Sequence, residues 1–516
     1  MNKNRQEQFF LLALALLLTV FSVRLIYIQL FKGALYRTAS TEIRARLIPS
    51  AAPRGIIYDR NGTIIASNKP AYAIYCLPSE LTNKEKTLKL LSDLIGVPVP
   101  KMKERMAAAK YPFEPVLIQD HAPFRAIALI EENADALPGI TIASKTIRYY
   151  PFGGSAAHVI GHVGEVSREE LVSGRVRGLR LGDIIGLSGI EKVYDQYLRG
   201  VGGGQHIEVD SLGRPVKRSQ ALVSIPGKDV HLTIDIELQK AAEAYMGERN
   251  GAVIVLDVAT GEVLALVSKP GFDPNVFTKN LTEKDWQKIL KEKDPFHDRA
   301  LTAYPPGSTF KVVTTIAALE EKLVFPEKQF YCPGYMQIGR RVFNCWTTHG
   351  QLSFFDAIVH SCDVVFYGMG LQLGPNAINK YATSLCLGTP TGIDLPQESS
   401  GLIPYEEWKK ERFGVEWYPG DSLNTAIGQG FVQVTPLQLA VLMAGIASTR
   451  NSLPKPFICR NIEDEKNKVL FENTPYELSK ISFSKKTLDT LREALPEVVH
   501  LPVYIFAFHS LVPVIP

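Results

Sequence analysis

Pro305-Pro306-Gly307-Ser308-Thr309-Phe310-Lys311 leads into Val312-Val313-Thr314-Thr315-Ile316-Ala317-Ala318-Leu319-Glu320-Glu321, and the rest of the chain is read from this junction. Apolar residues after Lys311 recur at helical spacing, and Pro-Pro-Gly directly before Ser308 marks where a helix begins. Ser308 is therefore expected at a helix N-terminus, with Lys311 one turn on and on the same face. A serine hydroxyl is a weak nucleophile until a base takes its proton. A lysine shielded from water, or held beside another cation, gives up its own proton readily enough to be that base. Backbone N–H groups at the helix start would add a place for a developing oxyanion. The competing reading is an N-cap serine followed by a solvated lysine. The S-x-x-K spacing alone does not separate the two, since Ser452 to Lys455 and Ser482 to Lys485 share it. Context does: Pro454 interrupts the first of these, and Ser482 precedes a helix start at Ser484.

Outward from this junction the chain reads as α+β. From Val230 a helix is predicted over Ile236 to Met246, followed by Gly251-Ala-Val-Ile-Val-Leu-Asp257, a turn at Ala259-Thr260-Gly261, and Glu262-Val-Leu-Ala-Leu-Val-Ser268. Two apolar runs about a Gly-containing turn make a hairpin, so this region is an antiparallel sheet packed with helices. Residues 40 to about 225 are Gly- and Arg-rich, with short alternating runs such as Gly62 to Ala66 and a helical stretch near Lys84 to Leu94. They read as a loop-rich α+β region. Turn residues from Asp210 to Pro215 and at Pro226-Gly227 place a boundary near 225.

Phe9 to Phe31 is an apolar run of about 23 residues, long enough to cross a bilayer, with Arg24 as its only charge. Lys3 and Arg5 precede it, which keeps the N-terminus in the cytoplasm and exports the chain beyond about Lys32. A cleaved signal peptide is the alternative; the run exceeds a usual h-region, and no small-x-small site comes directly after it. The domains expected are thus 1–32, a cytoplasmic N-terminus and anchor; 33–225, a pedestal; 226–495, the sheet-and-helix domain; and 496–516, an apolar tail. A net charge of +4 from 57 basic and 53 acidic residues, with no basic stripe, excludes a nucleic-acid binder.

Three of the six cysteines fall between 332 and 362, where the chain-wide frequency gives fewer than one. With His349 they form Cys332-x12-Cys345-x3-His349-x12-Cys362. Three thiolates and an imidazole are a tetrahedral zinc set with no open position, hence a structural site. His360 is a possible substitute ligand. A disulfide between two of the three, or unpaired buried thiols, is the alternative. Cys76, Cys386 and Cys459 stand apart and are expected in the core.

Ser361-Cys362-Asp363 completes a recognisable pattern. Ser308-x-x-Lys311 followed some fifty residues later by Ser-x-Asn or Ser-x-Asp is similar to the penicillin-binding proteins and serine β-lactamases. The chain most resembles the class B transpeptidases, in particular the elongation type, penicillin-binding protein 2. Arg54 to Gly62, Arg148 to Pro151, Gly161 to Gly164, and Gly189-Ile-Glu191 through Gly200 resemble its pedestal; Thr391 to Pro396, Ile427 to Gly430 and Thr435 to Leu439 resemble its catalytic domain. The resemblance runs from the anchor to about Leu495. It implies that Ser308 is acylated, that Lys311 is its base, that Ser361 relays a proton to the leaving amine, and that Asp363 bonds substrate backbone or Lys311. Some members look to carry zinc at the Cys/His positions, with Asp in place of two of these cysteines, and Cys362 lies within the Ser-x-Asp motif, so the metal would brace that loop.

The implied reaction is D,D-transpeptidation: acyl transfer from a stem peptide ending in D-Ala-D-Ala during cell-wall elongation, with β-lactams as mimics. The implied partners are a RodA-type glycosyltransferase, the elongation machinery and the inner membrane, with the catalytic domain outside the cytoplasm. The family's third motif, Lys-Thr-Gly, does not occur in the sequence; each Lys-Thr pair is followed by Leu or Ile. After Leu495 the chain reads PEVVHLPVYIFAFHSLVPVIP. A frameshift or sequencing error, a divergent tail and a second membrane segment are the three explanations, and as written the catalytic sheet is expected to be incomplete and the chain inactive. A non-catalytic membrane scaffold for a glycosyltransferase is the alternative function. A β-lactam sensor or β-lactamase fits less well, since neither needs residues 40–225.

Overall fold

The computed structural model describes residues 3–32, 45–50, 52–107, 115–167, 183–209, 215–278 and 293–500, with positions 169, 179, 286, 287, 289 and 291. The turn expected from Asp210 lies outside these residues but for Pro215, and so does the tail beyond 500. Two compact units interleave along the chain. One holds residues 1–53, 70–146 and 200–226; the other holds 54–69, 147–199 and 227–516. The last crossing falls at Pro226-Gly227, beside the boundary expected near 225, while four earlier ones place 54–69 and 147–199 with the second unit.

In the first unit, Lys3–Ile26 is helical and continues as a π-helical turn over Tyr27–Phe31. Leu11–Gln29 is long and apolar enough to cross a membrane. The helix Lys84–Ile95 lies where the sequence predicts it. Asn83 caps it by accepting from the Lys86 N–H, and Gly96 ends it at φ +74°, a left-handed conformation that glycine takes at least cost. Leu88 and Leu91, one turn apart, point into a core with Ile74, Cys76, Met102 and Ile118, all fully buried. A separate three-stranded sheet runs Ala45–Ser50, Gly203–Val209, Pro215–Leu222.

In the second unit the strands run Val469–Glu472, Cys459–Glu463, Asp229–Leu232, Ile57–Tyr58, then the start of Ile64–Cys76. Most pairings are antiparallel, but Val230 pairs with Ile57 in a parallel ladder. The segment 54–69 thus enters the sheet beside a strand far from it in the sequence. A buried ion cluster holds the neighbouring pieces. Glu191, fully buried, accepts from Arg54 and Arg148 at 2.6 Å each, and Arg54 also meets Asp195 at 2.8 Å. Burial pushes the Glu191 carboxyl up, and the two guanidiniums outweigh that and hold it below the ordinary carboxylate range.

The expected hairpin is present: Gly251–Leu256 pairs antiparallel with Val263–Lys269. Its turn is made by the Asp257 carboxylate, which accepts from Ala259 and Thr260 N–H, and by Gly261 at φ +83°. The helix Ile236–Met246 packs on it through Gln239, whose buried amide donates to the Leu266 carbonyl and accepts from the Leu266 N–H. The helix Lys311–Glu320 is buried along most of its length. Phe310, Val313, Ile316 and Ala317 are fully buried in one core with Leu437, Leu442 and Ile378.

Candidate active site

Ser308 occupies a short 3₁₀ turn, Gly307–Phe310, that runs directly into the helix Lys311–Glu320. Gly307, at φ +60°, makes the entry, and its N–H donates to the Gly428 carbonyl at 2.9 Å. The Thr309 hydroxyl donates to the Pro306 carbonyl, which tightens the turn. Ser308 is half-buried here, while Lys311, one turn on, is 5% exposed.

The Lys311 ammonium has three oxygen partners. It donates to the Ser361 hydroxyl at 2.8 Å, the Ser361 carbonyl at 2.9 Å and Asp363 Oδ1 at 2.6 Å. Its Nζ also lies 5.3 Å from the centre of the Phe366 ring, within cation–π range. Burial lowers the Lys311 pKa, the Asp363 carboxylate opposes this, and burial wins: the amine sits below the ordinary lysine value. Ser361 takes a left-handed φ of +51°, uncommon for a non-glycine residue and costing roughly 1–3 kcal/mol. That conformation turns both its carbonyl and its hydroxyl onto one cation. Cys362 comes next, as N-cap of the helix that begins at Asp363. Structure thus joins Lys311, Ser361 and Asp363 by direct bonds and sets Ser308 at the entry of the Lys311 helix.

The Cys/His set also comes together. Cys332, Cys345, His349 and Cys362 each offer one ligand atom, and these atoms all lie within 4.8 Å of one another. Cys345 Sγ is 3.6 Å from His349 Nδ1. A tetrahedral zinc with bonds of about 2.0–2.3 Å places its ligand atoms roughly 3.3–3.8 Å apart, so the set fits with little movement. His349 offers one nitrogen to the set, and the one seen against a cluster sulfur is Nδ1. Cys332 and Cys362 are buried, Cys345 is half-buried, and all six cysteines are free thiols. The Cys345 thiol is held below its ordinary value, first by the neighbouring Cys362 thiol, then, against the effect of burial, by the N–H groups of Val364, Thr347 and Asp363. His360 lies outside the cluster, its Nδ1 at 2.9 Å from the Asp356 carbonyl. Cys76 and Cys459 are buried, and Cys386 is half-buried against the core.

Phe366 escaped the sequence reading, because an aromatic in an apolar helix looks like any core residue until the Lys311 ammonium is found over it. Gly428 lies within the Ile427 to Gly430 motif, but its role as acceptor for Gly307 is tertiary. The helix Lys485–His500 carries regular structure five residues past Leu495, through Pro496, with Val498 buried.

The sequence model of the penicillin-binding protein dimerisation domain matches residues 49–232, and that of the penicillin-binding protein transpeptidase domain matches 251–504. Peptidoglycan D,D-transpeptidase MrdA of Acinetobacter baumannii is 32% identical over 97% of this chain and 77% of its own length. The fold is similar to that of penicillin-binding protein PBP2 in its complex with MreC from Helicobacter pylori, with TM-score 0.75, 27% identity, and coverage of 88% of this chain and 84% of that one. A chain from a structure described as a peptidoglycan synthase complex coordinating polymerization and crosslinking matches with TM-score 0.68 at 28% identity, covering 96% and 84%. With both domains matched in order and a relative of this identity spanned over most of its length, the chain belongs to the penicillin-binding proteins of the PBP2 type.

Proposed function

We propose that this chain is a peptidoglycan D,D-transpeptidase of cell-wall elongation that works through an acyl-enzyme on Ser308. One observation carries the assignment of residues: a lysine amine buried one turn after a helix-entry serine, held by the second motif's hydroxyl and carboxylate. In the reaction, Ser308 Oγ attacks the carbonyl of the penultimate D-Ala of a stem peptide while Lys311 takes the hydroxyl proton. The C–N bond to the terminal D-Ala breaks, and a proton passed through Ser361 goes to the departing amine. An amine of a second stem peptide then attacks the ester and frees Ser308. Asp363 keeps Lys311 aimed and bonds the peptide backbone.

The Cys332, Cys345, His349, Cys362 set is assigned to structural zinc, which when bound would brace the loop carrying Ser361 and Asp363. Leu11–Gln29 is assigned as a single membrane anchor, with the second unit outside the cytoplasmic membrane. MreC in the complex named above, and the synthase described as coupling polymerization to crosslinking, support elongation-machinery partners here, a RodA-type glycosyltransferase among them. Fluorescent penicillin tests the centre: it should label the intact chain and not Ser308→Ala. Equal labelling of both would overturn the nucleophile assignment, and labelling of neither would favour the non-catalytic scaffold.

A further inference from the structure

Cys362 does two things at once. Its thiol belongs to the cluster with Cys332, Cys345 and His349, and its backbone separates Ser361 from Asp363, the two residues that hold the Lys311 ammonium. Cys345 is the half-buried member of the trio, and its sulfur lies within 4.8 Å of the Cys362 sulfur. It therefore offers a route from solvent to a buried partner sulfur. A carboxylate in the Cys345 position would ligate a cation equally well and could not be oxidised; a thiol adds redox chemistry.

We propose that Cys345 and Cys362 form a peroxide-operated latch on the active site, a reading that rests on the zinc assignment above. The Cys345 thiolate attacks a hydroperoxide, the O–O bond breaks, and one oxygen stays on sulfur as a sulfenic acid while the other leaves as water or alcohol after taking a proton. The Cys362 thiol then attacks the sulfenic sulfur. A disulfide forms and the sulfenic oxygen departs as water, so the two sulfurs together lose two electrons and the peroxide gains them. Two of the four ligands are thereby withdrawn, and the ion is lost with its charge unchanged.

The consequence at the active site is mechanical. A disulfide brings its sulfurs to about 2 Å, closer than the ligands of any tetrahedral zinc. Cys362 is the N-cap of the helix starting at Asp363 and comes directly after the left-handed Ser361, so drawing its side chain toward Cys345 shifts both contacts to Lys311. Oxidation should thus close the enzyme to acylation, and reduction with zinc present should reopen it.

The test uses the full-length protein in detergent, first measured for zinc and then exposed to hydrogen peroxide. Expected together are release of zinc to a chromogenic chelator, a Cys345–Cys362 cross-link in non-reducing peptide mapping, and a fall in fluorescent-penicillin labelling of about tenfold to a hundredfold. Dithiol reductant plus zinc should reverse all three. Cys345→Asp keeps a ligating group and removes the thiol, so its ratio of treated to untreated labelling should stay near one. Cys76, Cys386, Cys459 and the methionines are unchanged in that variant, so an equal drop in it would overturn the latch. So would a cross-link that leaves parental labelling intact, or zinc that survives peroxide with all three thiols still titratable. Protein without zinc before peroxide would instead overturn the zinc assignment.

Discussion

In the proposed reaction Lys311 is the base that takes the Ser308 proton. Removing a positioned general base costs about 10²–10⁴-fold in rate, so Lys311→Ala should slow acylation by fluorescent penicillin within that range while leaving the fold intact. Its pKa lies below the ordinary lysine value because burial outweighs Asp363. Acylation should therefore rise with pH and level off once pH passes that lowered value. Asp363 is the group that raises it, so Asp363→Asn should move the rise to lower pH. A pH profile that does not move would remove Asp363 from control of the base. Glu191 is the structural counterpart. Glu191→Gln leaves Arg54 and Arg148 facing a neutral amide, and breaking a buried ion pair from one side costs about 3–5 kcal/mol, readable by urea unfolding. Its folded pKa is depressed, so its stabilising effect is complete above the unfolded value near about 4.3 and is lost as pH falls through the lower folded value. At this scale the Ser-x-x-Lys pattern at 308–311 and the Ser-x-Asp pattern at 361–363 were visible in the sequence, because each is close along the chain. Phe366 was not, since its relation to Lys311 spans 55 positions and nothing local distinguishes it.

Among elements, the turn at Ile427 to Gly430 packs against the turn that carries Ser308. Gly428 has φ +69°, and a Cβ there would lie 2.4 Å from the Gly307 carbonyl oxygen and 2.5 Å from Phe310 Cβ. Gly428→Ala must push the serine turn away or be strained itself. A displacement of about 1 Å can cost on the order of 10²-fold, so penicillin labelling should fall steeply while the zinc content stays that of the parent. Labelling unchanged by Gly428→Ala would mean that the Gly307–Gly428 contact does not position Ser308. The helices Lys84–Ile95 and Ile236–Met246 and the hairpin at 251–269 followed from periodicity and turn residues. The parallel pairing of Val230 with Ile57 did not, because strand partners so far apart are selected by packing and not by local pattern.

For the whole molecule, the N-terminal apolar helix and the two interleaved units set different expectations. Deleting residues 1–32 should move the protein from the membrane fraction to the soluble fraction, with penicillin labelling of Ser308 preserved; loss of labelling would tie the anchor to the active site. The sequence by itself determined the helical entry at Ser308, the membrane-length helix, the Ser-x-Asp motif and the cysteine and histidine spacing, because each depends on residues close along the chain or on composition alone. Tertiary structure decided the rest. It brought Ser361 and Asp363 onto the Lys311 amine, buried that amine enough to lower its pKa, gathered four ligand atoms within 4.8 Å, and drew 54–69 and 147–199 into the second unit. Each of these depends on desolvation and on contacts between distant segments, which exist only once the chain has closed around them.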